Sequence, residues 1–314
     1  MLRAAVIGVG YLGNFHSQKY KLLSQDPKWD LQLVGVCDSH FPQAEKIAKD
    51  LQVPAFSRPQ DLLGQVDLVT IATTSPTHFA IAKMFLENGV HVNVEKPMAL
   101  NSVEAAQLVS IAKANSLCLA AGHSERFNPA FIELKKALHR PKLLEFCRHA
   151  PFKARGSEVS VILDLMIHDL DLMLSMDSTQ VRVTMAQGGS LVSETYDWAT
   201  AAFEFESGMK CTMSSSRVAP AMVRSIRAAH TAGIITANLQ TGDLEFAKKS
   251  DGIEPSVVQT VVSAGRGDNL LAETESFVSA VLGKSHLVAS GEAGEKALAL
   301  AEIVIGSIES SRGW

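Results

Sequence analysis

Apolar and polar positions divide the chain into two parts of different rhythm. Through residue 122, short apolar runs at 2–7, 31–37, 67–72, 91–94 and 117–121 alternate with stretches of helical periodicity at 11–23, 41–51, 77–88 and 102–115. The runs are apolar at consecutive positions and stop at Gly, Asp or Pro, the pattern of strands buried on both faces. Repeated strand–helix alternation predicts a doubly wound parallel sheet. Further on, helical stretches at 128–139 and 160–176 precede a region from 179 to 262 dominated by strand signals, at 181–187, 196–206, 209–215, 223–229 and 234–238. The turn Glu206-Ser207-Gly208 predicts a hairpin, and helices are expected at 270–282 and 293–309. The expected class is α/β. A Rossmann doubly wound parallel sheet occupies 1–122, and an α+β domain with a large, mainly antiparallel sheet occupies 123–314. The boundary near Gly122 rests on the change of pattern.

Composition narrows the classes. A chain of 314 residues suits two domains at about 150 residues each. Lys plus Arg number 29 against 33 Asp plus Glu, a net charge of −4 that leaves no basic footprint for nucleic acid. No apolar stretch approaches the roughly 18 residues of a membrane span. The apolar start breaks at Gly8, too early for a signal peptide. Cys37, Cys118, Cys147 and Cys211 lie too far apart for a metal pair or a CxxC, and read as reduced thiols of a cytoplasmic protein.

The candidate chemistry begins where the first strand ends. Gly8-Val9-Gly10-Tyr11-Leu12-Gly13 is GxGxxG placed between a strand and a helix, the setting that separates a dinucleotide cradle from a plain turn. Gly8 allows the tight turn, Gly10 a close approach of pyrophosphate, and Gly13 close helix packing, with the helix N-terminus facing the anion. Gly8, Gly10, Tyr11, Leu12 and Gly13 are therefore expected at the cofactor. Asp38, at the end of the second strand, would accept the ribose hydroxyls and repel a 2′-phosphate, favouring NAD over NADP; alternatively it is a strand-end turn residue. Ligands of such sheets bind at the carboxyl ends of strands, which adds Thr73, Ser75, His78, Glu95 and Lys96 to the cofactor candidates. Pro76 ends the strand, and Ser75 is also expected to cap the helix that follows it. Glu95-Lys96 is either functional or an ion pair, since such charges are rarely buried alone.

A second constellation lies on the helix at 160–176. At about 100° per residue, Asp164, His168 and Asp171 share a stripe about 60° wide on an otherwise apolar helix. This is either a core histidine satisfied by carboxylates or an acid–base set, and the two can coincide because a carboxylate raises the basicity of an adjacent imidazole. Asp169 falls in the apolar sector and needs a partner elsewhere. No second His stands at ligand spacing, so no metal site is expected.

Taken in order, GxGxxG with His16, Glu95-Lys96-Pro97, Gly122 leading into Arg126-Phe127-Asn128-Pro129, and Asp164-xxx-His168 resemble the glucose–fructose oxidoreductase / inositol dehydrogenase (Gfo/Idh/MocA) family over the whole chain. The resemblance implies a Rossmann domain and a C-terminal domain whose open sheet carries homo-oligomer contacts, in a dimer or tetramer. It implies that Lys96, Asp164 and His168 line the active site, and that the Lys96-Pro97 peptide is often cis. His168 would serve as base, Asp164 would orient it, and Lys96 would stabilise the developing alkoxide. The wording at 122–129 and 164–169 is similar to members acting on nucleotide sugars, which implies a UDP-N-acetyl sugar oxidised at C3. Arg126 and Arg155 would then meet the diphosphate and Asn128 the sugar; a structural Arg126 and a surface Arg155 are the alternatives. Rival functions are a dehydrogenase or reductase of a free sugar or inositol, a redox-neutral glycosidase, and a non-catalytic NAD-binding regulator.

Overall fold

The computed structural model describes residues 1–138, 140–154, 156–250 and 256–311. The chain forms two compact units: Met1–Ser124 joined by Asp268–Lys296, and Glu125–Gly267 joined by the chain from Ala297. The first crossing falls between Ser124 and Glu125, and the return of 268–296 to the first unit has no counterpart in the sequence pattern.

In the first unit, β1 (Leu2–Ile7), β2 (Leu31–Cys37), β3 (Ala55–Phe56), β4 (Leu68–Ile71), β5 (His91–Val94) and β6 (Leu119–Ala121) form a parallel sheet in the order β3-β2-β1-β4-β5-β6. The order reverses direction at β1/β4, which opens a crevice at the carboxyl ends of the strands. Helices α1 (Tyr11–Leu23), α2 (Phe41–Leu51), α3 (Ser75–Glu87) and α4 (Ser102–Ala114) provide the crossovers. The sequence sets their ends locally. Pro42 and Pro76 stand in first turns, and Asn101 caps α4 by accepting the Glu104 N–H while Glu104 accepts the Leu100 N–H. From the return segment, α7 (Asn269–Val281) inserts Phe277 and Val278 into the core with Val6, Tyr20 and Leu33. Residues 289–290 then pair with the edge of β6.

The second unit is built on an eight-stranded sheet with the order β14-β13-β12-β11-β7-β10-β9-β8. These strands are β7 (Leu143–His149), β8 (Val181–Gly189), β9 (Trp198–Phe205), β10 (Lys210–Ser216), β11 (Val223–His230), β12 (Gly233–Asn238), β13 (Asp243–Lys249) and β14 (Val257–Ser263). Only β7 and β10 run parallel; the remaining neighbours are antiparallel. α5 (Pro129–Ala137), α6 (Ile167–Leu174) and the later part of α8 (Gly291–Ser311) contribute to its core with Phe146, Phe203 and Ile226. The hydrophobic pattern does not reveal β7, because its buried face reads Leu144, Phe146, Arg148 and places a charge where an apolar residue is expected.

Candidate functional site

The turn after β1 is shaped for an anion. Gly8 has φ +82°, and a Cβ there would stand 2.7 Å from the Thr73 nitrogen; at Gly13 it would lie 1.7 Å from the Gly8 oxygen. Both glycines are thus required by close backbone approach. At Gly10 a Cβ would meet nothing within 4 Å, which leaves that backbone open to a ligand. The first turn of α1 has neither a side-chain cap nor an acidic residue, so its N–H groups and dipole favour an anion. These features fit a pyrophosphate. Asp38 accepts the Val9 N–H with Oδ2 and the His40 N–H with Oδ1, both at 2.9 Å. The Gln43 amide donates to the Val9 carbonyl at 2.9 Å. Asp38 and Gln43 together pin the turn, and the carboxylate keeps lone pairs for ribose hydroxyls. Gln43 carries no motif and is visible only once α2 is packed beside the turn. Tyr11 is exposed and meets the edge of Phe15 with ring centroids 5.2 Å apart, while Leu12 is half-buried.

The loops after β4 and β5 are braced together. Ser75 is the first residue of α3 rather than its cap. Thr74 holds the cap position without a side-chain bond, and the Thr77 hydroxyl lies 2.8 Å from both the Thr74 carbonyl and the Thr73 hydroxyl. His78 is buried, with Nδ1 2.8 Å from the Pro97 carbonyl and Nε2 3.1 Å from that of Thr73. It therefore ties one loop to the other. The Lys96-Pro97 peptide is cis. Glu95 is 7% exposed, and both its oxygens are engaged, Oε1 by His16 at 2.8 Å and Oε2 by the Lys96 N–H at 3.2 Å. A Cβ on Gly122 would stand 2.8 Å from Glu95 Oε2, so β6 approaches this carboxylate as closely as a glycine allows.

In the second unit the expected helix is not uniform. Ile162–Met166 forms a π-helical turn that runs into α6. Asp164 lies in the widened turn and His168 in the first turn of α6, both half-buried. The stripe calculated at one constant angle therefore breaks between them, and π turns of this kind recur at functional sites. Asp171 is 1% exposed and accepts two bonds from Arg126, each of 2.7 Å. The fork geometry fixes the Arg126 guanidinium. Asp169, which lacked a partner in the sequence, accepts two bonds from Arg148, at 3.0 and 2.8 Å. Arg148 also donates to Glu125 at 3.0 Å. Burial works against the Glu125 charge, but Arg148 and Arg224 hold its pKa below the usual range. Burial pushes Asp169 up despite Arg148.

Asn128 caps α5 by accepting the Ala130 N–H, and its amide donates to Glu125 and to the Leu239 carbonyl. It is 5% exposed, and its amide nitrogen and oxygen are both bonded within the fold. Arg155 lies outside the described residues. The loop ahead of the π turn is organised by Arg217, which donates to the carbonyls of Gly156, Val159 and Tyr196 and pairs with the buried Asp197 at 3.2 Å. A Cβ on Gly156 would lie 3.1 Å from Asp164 Oδ2, so this loop packs directly on Asp164. Neither Arg217 nor Asp197 stands in a motif.

A family model described as an oxidoreductase family with an NAD-binding Rossmann fold matches residues 2–123, and the GFO/IDH/MocA C-terminal domain matches residues 145–236. A UDP-N-acetylglucosamine 3-dehydrogenase of Acidithiobacillus ferrooxidans is 35% identical over 98% of each chain, and its solved structure superposes with a TM-score of 0.88. A myo-inositol 2-dehydrogenase of Thermotoga maritima is 25% identical over 99% of this chain and 97% of its own. An oxidoreductase of Agrobacterium radiobacter, solved with NAD+, L-tartaric acid and magnesium, shares the fold at a TM-score of 0.86 and 19% identity, over 99% of this chain and 97% of its own.

Proposed function

The chain belongs to the GFO/IDH/MocA family of NAD-dependent oxidoreductases, and on that premise we propose that it oxidises a nucleotide sugar, at C3 of a UDP-N-acetyl sugar. The observation that carries this reading is the 35% identity to a UDP-N-acetylglucosamine 3-dehydrogenase over 98% of both chains. A free inositol or sugar is the second reading, favoured by the match to a myo-inositol 2-dehydrogenase over 99% of this chain.

Bound NAD supplies the hydride acceptor, and the protein supplies position and charge. His168 takes the hydroxyl proton, since an imidazole titrates near neutral pH. Asp164 orients the ring and stabilises its protonated form. Lys96 stabilises the developing alkoxide by its positive charge. The turn at Gly8–Gly13 and the N-terminus of α1 hold the pyrophosphate, and Asp38 accepts the ribose hydroxyls and disfavours a 2′-phosphate. For Arg126, the fork onto buried Asp171 favours a structural role over diphosphate binding.

Two further statements complete the proposal. The protein works in the cytoplasm, the compartment that suits its four free thiols. It assembles as a homo-oligomer, a dimer or tetramer, through the sheet of the second unit. That sheet has an outer face of half-exposed Cys147, Thr200, Ser214 and Thr236, beside the fully exposed strand β14.

The test is NADH formation over a panel of UDP-sugars, free sugars and inositols. UDP-N-acetylglucosamine is expected to turn over fastest; an inositol doing so would establish the second reading. NAD binding without turnover would indicate a regulator, and sugar release without net NADH a glycosidase. Lys96→Ala and His168→Ala are each expected to lower turnover by about 10²-fold while NAD still binds. Near-wild-type rates in both would remove these residues from catalysis.

A further inference from the structure

Three ionisable side chains are buried together beside the Glu95-Lys96-Pro97 turn. His16 on α1, Glu95 after β5 and Glu273 on α7 have ligand-type atoms within 4.8 Å of one another and are 0%, 7% and 2% exposed. A carboxylate oxygen 2.8 Å from His16 Nε2 places a proton on that nitrogen. Glu95 thus accepts from two donors, the His16 ring and the Lys96 amide. Glu273 accepts from one, the Asn93 amide at 3.0 Å, and its Oε2 meets no partner among the described residues. Two carboxylates this close in a dry interior do not both ionise. The one with two donors keeps the charge, and the one with a bare oxygen keeps a proton, because a neutral acid loses far less on burial than an anion.

We propose that Glu273 is a positioning residue of the Lys96 site: as a neutral acid it holds Asn93 and leaves Glu95 the one anion, which fixes His16 and the Lys96 backbone. The proposal rests on the reading of Lys96 as catalytic. Burial first, and then the charge of Glu95, push Glu273 up to about 7. Burial opposes the Glu95 charge, but His16, Lys96 and His78 hold its pKa below the usual range. The remaining groups facing the cluster are Lys19, whose charge acts on His16, and Tyr20, whose hydroxyl is tied to Thr70 at 2.8 Å. A divalent cation could use the same donor set, but only by breaking the His16–Glu95 bond.

Glu273→Ala is expected to lower kcat about tenfold with little change in the KM for NAD, as expected when a reacting group shifts slightly. Glu273→Gln, neutral and able to hold Asn93, should restore it. Glu95→Gln should not restore the loss caused by Glu95→Ala, since an amide cannot replace the anion. Independently of activity, the wild-type-minus-Glu273→Gln infrared difference spectrum of the intact protein just below pH 7 should show a protonated carboxyl band. A difference spectrum without that band, a Glu273→Gln as impaired as Glu273→Ala, or one retained metal ion per chain would each overturn the proposal. If Lys96→Ala kept full turnover while the band behaved as described, the catalytic reading of Lys96 would fall and the protonation of Glu273 would stand.

Discussion

Three buried glutamates differ by how many donors each one meets. Glu95 and Glu125 meet two or more donors and are held below the usual range; Glu273 meets one and is pushed up to about 7. That difference sets a pH dependence. The folded pKa of Glu273 lies above its ordinary 4.5, so the fold binds this proton more tightly than the unfolded chain does. The contribution is complete below 4.5, is lost as pH rises to about 7, and is constant above that. Glu273→Gln has no proton to lose. Its Tm relative to wild type should therefore climb across that window and then level, whereas a parallel offset at every pH would mean that Glu273 does not titrate there. The glycines of the phosphate turn were legible as residues, because a strand, GxGxxG and a helix are neighbours in sequence. Gln43 and the approach of Gly122 to Glu95 were not, since each acts by touching a segment far away in the chain.

Among the elements, the segment from Ile162 to Leu174 carries the most chemistry. Its two halves have different pitch, and that separates Asp164 and His168 from Asp171 in environment although all three fit one stripe on a uniform helix. Two charged residues hold it: Arg148 of β7 pairs with Asp169, and Arg217, just after β10, ties down the loop before the π turn. Replacing Arg148 by Met leaves Asp169 buried without its counter-charge and Glu125 with Arg224 alone, so a loss of about 3–5 kcal/mol is expected in urea or thermal unfolding. Little change would mean that water reaches these carboxylates. Strand β7 escaped the hydrophobic pattern for the same reason: its buried face includes Arg148, which becomes compatible with a core only when Asp169 and Glu125 arrive beside it.

At the scale of the molecule, the sheet of the second unit ends in β14, whose seven residues are all exposed, including Val257, Val258, Val261 and Val262. An apolar edge strand of this kind needs covering. Sedimentation is expected to give a mass of two or more chains, and Val261→Glu should shift it toward one; a monomeric wild type would refute assembly through this sheet. The sequence by itself determined the two rhythms, the parallel sheet with its phosphate turn, the Glu95-Lys96-Pro97 and Asp164-xxx-His168 motifs and the family they mark. Each of these is written in neighbouring residues, through periodicity, turn chemistry and strand-end position. The tertiary structure decided that 268–296 returns to the first unit, that Asp169 and Asp171 belong to Arg148 and Arg126, and that Asn128 is a cap. It also decided that Glu95 is a buried anion beside a second acid. The pairings of Asp169, Asp171 and Glu95 depend on which side chains meet across 21 to 79 residues of chain, where burial makes each unpaired charge costly and so selects the partner.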